Sequence, residues 1–197
     1  MSASNSWGID AALQAKRNLE RQKRIETMPT LPFATATQQF TAMRSYLVAC
    51  AQQGVITTAQ DEIFKSLRFD TASSTVWMCT PKNFKRDSAC PRITRLDGAW
   101  LDLSVSFATN ASRELILAGY DAEIWFPTHD NQHSAPAWIR LDFNLEAHTN
   151  DYERAMRSHL HPGTDDWFVP SPLLSPIELL DLLVFGCKIP AGRAPRG

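Results

Sequence analysis

An α+β fold is expected, and three features of the 197-residue chain predict it. Apolar residues recur at helical spacing before residue 70, strict two-residue alternation takes over between 74 and 145, and a capped apolar helix follows near the C-terminus. The alternating runs follow one another through short turns. That predicts an antiparallel β-meander of about four strands with helices packed on one face, N-terminal helices before it and a buried C-terminal helix after it. The expected organisation is an N-terminal helix and linker over 1–35, one α+β domain over 36–188 and a flexible tail over 189–197.

Residues 9–27 read as a helix of good helix formers whose charges (Lys16, Arg17, Arg21, Lys23, Arg24) outnumber its apolar contacts. Pro29 and Pro32 stop it. A second helix is expected over 37–53, with Phe40, Met43, Tyr46, Leu47 and Cys50 on one side and Gly54 as its C-terminal stop. Thr57 and Gln60 have capping-box spacing, so a third helix is expected with Ile63, Phe64 and Leu67 buried. Val76 and Met78 mark a short strand ending at Pro81, after which 82–95 is basic and irregular.

Three strands are then expected. Leu101, Leu103, Val105 and Phe107 alternate with polar residues; 114–126 follows, with a bulge at Gly119; and 138–145 sets Ile139, Leu141 and Phe143 against Arg140, Asp142 and Asn144. His129 and His133 fall in the polar loop between the last two strands. The segment Ser158-His-Leu-His-Pro-Gly reads as an extended run ending in a Pro-Gly turn, and on an extended chain both imidazoles share a face. Ser175, Pro176 and Glu178 form a strong helix start, with an apolar helix to 185 and Gly186 ending it.

With a net charge of −1 there is no global field to recruit nucleic acid or an anionic membrane. No apolar run reaches the roughly 18 residues a membrane helix needs, so no membrane partner is expected. The N-terminal residues lack the basic start and apolar centre of a signal peptide, which points to the cytoplasm. Cys50, Cys79, Cys90 and Cys187 are scattered without a C-x-x-C pair and are expected as unpaired thiols. No cofactor is expected and no metal-binding set is assigned.

The polar sheet face would gather Asp102 and Ser104, a choice of Asp121 and Glu123, then Arg140 and Asp142, with His159 and His161 joining its edge if their segment is also extended. Carboxylates with histidines suit a divalent metal or acid–base attack on a phosphodiester. The catalytic candidates are His159, His161, Asp142 and Arg140; a purely structural role for the histidines is preferred. Lys82, Lys85, Arg86, Arg92 and Arg95 are the candidates for gripping phosphate or nucleic acid. No phosphate loop or nucleophile elbow is present.

Arg140-Leu-Asp142 on a strand, then His159-x-His161-x-Gly163, then Ser175-Pro176 opening an apolar helix, resembles an uncharacterised bacterial domain family found near mobile elements and anti-phage defence loci. The resemblance covers the last third of the chain and carries no activity with it. It implies a bacterial, cytosolic component of a multi-protein system. The first expectation is therefore an accessory or adaptor subunit with protein partners. A phosphodiesterase or RNase-like enzyme using His159 and His161 comes second, and a nucleic-acid-binding module using the basic 82–95 loop third.

Overall fold

A computed structural model describes residues 28–79, 89–127, 137–144 and 157–187. The helix expected over 9–27, the His129 and His133 loop, the turn before Arg157 and the C-terminal tail lie outside the described residues, as do Lys82, Lys85 and Arg86. The chain is α+β, and the described residues form an antiparallel sheet of eight strands rather than about four. Helix α1 spans Ala36–Gln52 and α2 spans Gln60–Ser66. The strands are β1 (Leu67–Asp70), β2 (Thr75–Met78), β3 (Ile93–Thr94), β4 (Trp100–Thr109), β5 (Leu115–Trp125), β6 (Trp138–Phe143), β7 (Ser158–Pro162) and β8 (Val169–Pro170). Helix α3 (Pro176–Asp181) runs into a single π-turn, Leu182–Gly186.

The sheet order is β1-β2-β4-β5-β6-β7-β8, with β3 pairing β4 beside β2. Nearly every strand therefore lies next to its neighbour in sequence, as a meander requires. Leu101, Leu103, Val105, Tyr120, Ala122, Ile124, Leu141 and Phe143 are buried on one face. They share one core with Met43 and Leu47 of α1, Ile63 of α2 and Leu179 and Leu180 of α3. Alternation dictates this division, because odd and even side chains point to opposite sides of a strand.

Several local expectations need correction. Thr57 and Thr58 do not cap α2; Ala59 occupies the N-cap and makes no side-chain bond there. The two hydroxyls instead donate to the carbonyls of Thr94 and Arg92, stitching the helix approach to β3. Phe64 is exposed, and Leu67 is buried in a strand rather than in the helix. Four unpaired thiols are also ruled out: Cys79 and Cys90 form a disulfide, leaving buried Cys50 and half-buried Cys187 as thiols. The expected bulge is present, since the β4–β5 register slips where Ser106 faces Gly119 and Phe107 faces Leu117. The capping box at α3 is complete: Ser175 Oγ accepts from Glu178 N, and Glu178 Oε2 accepts from Ser175 N. No helix among the described residues is long and apolar enough to cross a membrane.

Candidate functional site

Register builds the site on the sheet face opposite the helices. One cross-strand row carries Trp100, Trp125 and Trp138 on adjacent strands. The next row along carries Asp102, Glu123, Arg140 and His161, and the third carries Trp77, Ser104, Asp121, Asp142 and His159. Residues two apart along each strand share this face, so a one-residue slip would remove the whole set. His159 and His161 are placed by β7, which pairs His159 with Asp142 and His161 with Arg140. Gly163, at φ +80°, provides the left-handed turn that ends the strand.

The Oδ2 atom of Asp142 is the centre of the cluster. Arg140 Nε donates to it at 2.8 Å, His161 Nε2 lies at 3.2 Å and His159 Nε2 at 3.7 Å. The side chains of Asp142, His159 and His161 are only 3–4% exposed. His161 Nδ1 lies 2.9 Å from the Trp167 carbonyl oxygen. A carbonyl can only accept, so Nδ1 carries the hydrogen and Nε2 faces the carboxylate. The rings of His159 and His161 meet edge to face at 4.8 Å, and Phe168 stands edge-on to His159 at 5.8 Å.

Arg140 ties the cluster to its surroundings. It reaches Asp165 at 2.9 Å, Glu123 at 3.8 Å and Asp121 at 3.9 Å, and lies over the Trp138 ring. Burial alone would lower its pKa, but Asp142 and the neighbouring carboxylates outweigh that and push it up, so it stays charged. The Glu123 carboxyl is pushed up mainly by burial, although Trp125 Nε1 donates to it at 2.7 Å. The Asp165–Arg140 pair and the His161–Trp167 contact hold residues 163–168 across this edge of the site.

All four catalytic candidates, His159, His161, Asp142 and Arg140, are brought together. The basic-loop candidates divide differently. Arg92 is exposed, with its guanidinium 4.5 Å from the Trp100 ring centroid. Arg95 is buried, pairs with both carboxylate oxygens of Asp97 through Nε and Nη2, and donates through Nη1 to the carbonyls of Leu183 and Cys187. Its guanidinium is thus engaged with the end of the C-terminal helix. The tryptophan row was not anticipated as a unit; its signal was the shared phase of Trp100, Trp125 and Trp138 within their strands. No family model matches this chain, and no curated protein or solved structure does either.

Proposed function

We propose that the chain hydrolyses phosphodiesters in single-stranded nucleic acid, at His159, His161, Asp142 and Arg140. One observation carries this reading: two imidazoles, a carboxylate and a guanidinium converge on one buried point of an otherwise solvent-side sheet face. Burying such a group costs several kcal/mol per ion before pairing, and a sheet has no structural need for it. Hydrolysis forms one P–O bond to water and breaks the P–O bond to the leaving oxygen. A base takes the water proton and an acid protonates the leaving group. Two histidines beside one carboxylate are residue types suited to such proton transfers. The stacked Trp100 and Trp125 rings, 5.4 Å apart with Arg92 above Trp100, offer a platform for bases beside the cluster.

The test is cleavage of a fluorescently labelled single-stranded RNA by the full chain, with divalent cations present. His159→Asn and His161→Asn, checked for folding by circular dichroism, should each lower the rate by about 100-fold or more. Undiminished cleavage in both folded variants, or none in the wild type, rejects the reading.

A second reading, an accessory subunit of a bacterial defence system, draws on a different observation. Trp167, just before the two-residue edge strand β8, is 71% exposed, and Val169 within it is 52% exposed. Exposed aromatics at an open strand edge favour a protein partner. Copurification from the native operon, repeated with Trp167→Ser, tests it; a partner retained equally by both chains places the interface elsewhere.

A further inference from the structure

We infer that Asp142, His159 and His161 bind one divalent transition-metal ion, where the sequence led to no assigned cofactor. The inference deepens the reading of the same site. One donor atom from each of the three residues lies within 4.8 Å of the others, and all three residues are buried. Two imidazoles and one carboxylate are a common donor set for zinc or iron(II), and leave further coordination positions open for water or substrate.

The orientation of His161 supports this. Its Nδ1–H is committed to the Trp167 carbonyl. In neutral imidazole, Nε2 then presents a lone pair to the carboxylate oxygen 3.2 Å away. Two electron-rich atoms at that distance need a cation between them. A backbone carbonyl on the far nitrogen is also the usual way a metal-binding histidine is fixed in its tautomer. Arg140 plays the corresponding outer role for the carboxylate, donating to Asp142 at 2.8 Å.

Charge points the same way. Asp121, Glu123, Asp142 and Asp165 all lie within 4.0 Å of the Arg140 guanidinium, and Asp102 pairs across the sheet with Glu123. A phosphodiester approaching such a face meets net negative charge. A divalent ion at the histidines would offset it and polarise the phosphoryl oxygen. Bound through Nε2, the imidazoles become ligands and no longer serve as the acid–base pair. The carboxylates of Glu123 and Asp121, on the same face and within 4.0 Å of Arg140, are then candidates to accept the water proton.

A proton on His161 Nε2 is the competing occupant, and the experiment separates the two. The full chain is stripped with chelator, then titrated with zinc by calorimetry and with cobalt(II) by visible absorption. Nitrogen NMR of the imidazoles follows the zinc titration. The same measurements are made on a variant with His129→Ala, His133→Ala and His148→Ala, which retains only the two site histidines. One equivalent bound equally by both proteins, with both remaining Nε2 resonances shifted, supports the site. Folded His159→Asn and His161→Asn should then bind more weakly by more than about 100-fold, beyond the loss typical of an outer-shell change. Failure of the stripped wild type to bind zinc, or binding that disappears with the three other histidines, overturns it. RNA cleavage that survives chelation with no zinc bound also overturns the metal site and leaves the hydrolase standing. Zinc bound at the site without cleavage does the reverse.

Discussion

Arg95 belongs to the interior although it ends the most basic stretch of the sequence. Its partners are Asp97, two residues away, and the carbonyls of Leu183 and Cys187, about ninety residues away. Nothing in the local sequence could reveal the distant pair, so its charge read as a binding feature. The Asp97 carboxyl is held below its ordinary value of 3.8, chiefly by the hydrogen bond from Arg95. A depressed carboxylate stabilises the fold fully above its unfolded pKa and loses that contribution as pH falls through the lower folded value. Urea unfolding should therefore show Asp97→Asn less stable than wild type at pH 6, with the gap closing below about pH 3.8. A gap that persists undiminished in acid would mean that the Asp97 charge is not what stabilises the turn. His159 and His161 are the opposite case. Their shared face follows from spacing alone, so their juxtaposition was legible, whereas their convergence on Asp142 Oδ2 depended on a register that no sequence rule supplied.

Elements were legible where their signals were local. The Ser175 capping box needs only Ser, Pro and Glu at fixed offsets, and it forms as expected. The Thr57 box has equally good spacing but fails, because the Ile56–Arg95 bridge draws the threonine hydroxyls to β3 instead. Strands β1, β3 and β8 are two to four residues long and owe their existence to neighbours, so period counting could not find them. The disulfide is another non-local feature: it joins the end of β2 to the approach to β3 across 11 residues. Closing a loop of that size stabilises a fold by about 3 kcal/mol through the unfolded chain. Cys79→Ser with Cys90→Ser should lower the urea midpoint accordingly, and a reductant should have no further effect on that variant. A midpoint equal to that of the untreated wild type would mean that the bond contributes nothing. Such a bond persists in oxidising surroundings and is reduced by a glutathione-poised cytosol. Its redox state in freshly lysed cells therefore reports on the compartment that was expected to be cytoplasmic.

At the scale of the whole molecule, one side of the sheet packs the core and the other carries the candidate site. Met43 is fully buried among the helices and strands, and Met43→Ala should cost about 2–5 kcal/mol while leaving the cleavage rate of the folded fraction unchanged. Asp142→Asn should do the converse, abolishing cleavage with a smaller change in stability, as measured by parallel urea and RNA assays. Equal losses of both in either variant would show that the faces are not separable. The α+β class and the meander were legible because alternation and short turns are written along the chain. The closing contact was not. Tyr46 donates to Asp181 at 2.7 Å across 135 residues, joining α1 to α3. In kinetic terms, the meander can assemble by successive nearest-neighbour pairings, each closing a short loop, whereas the α1–α3 clasp must wait for the two ends of the domain to meet. The α1–α3 clasp therefore cannot form in a nascent chain until α3 has left the ribosome, so strand pairing is expected to precede it.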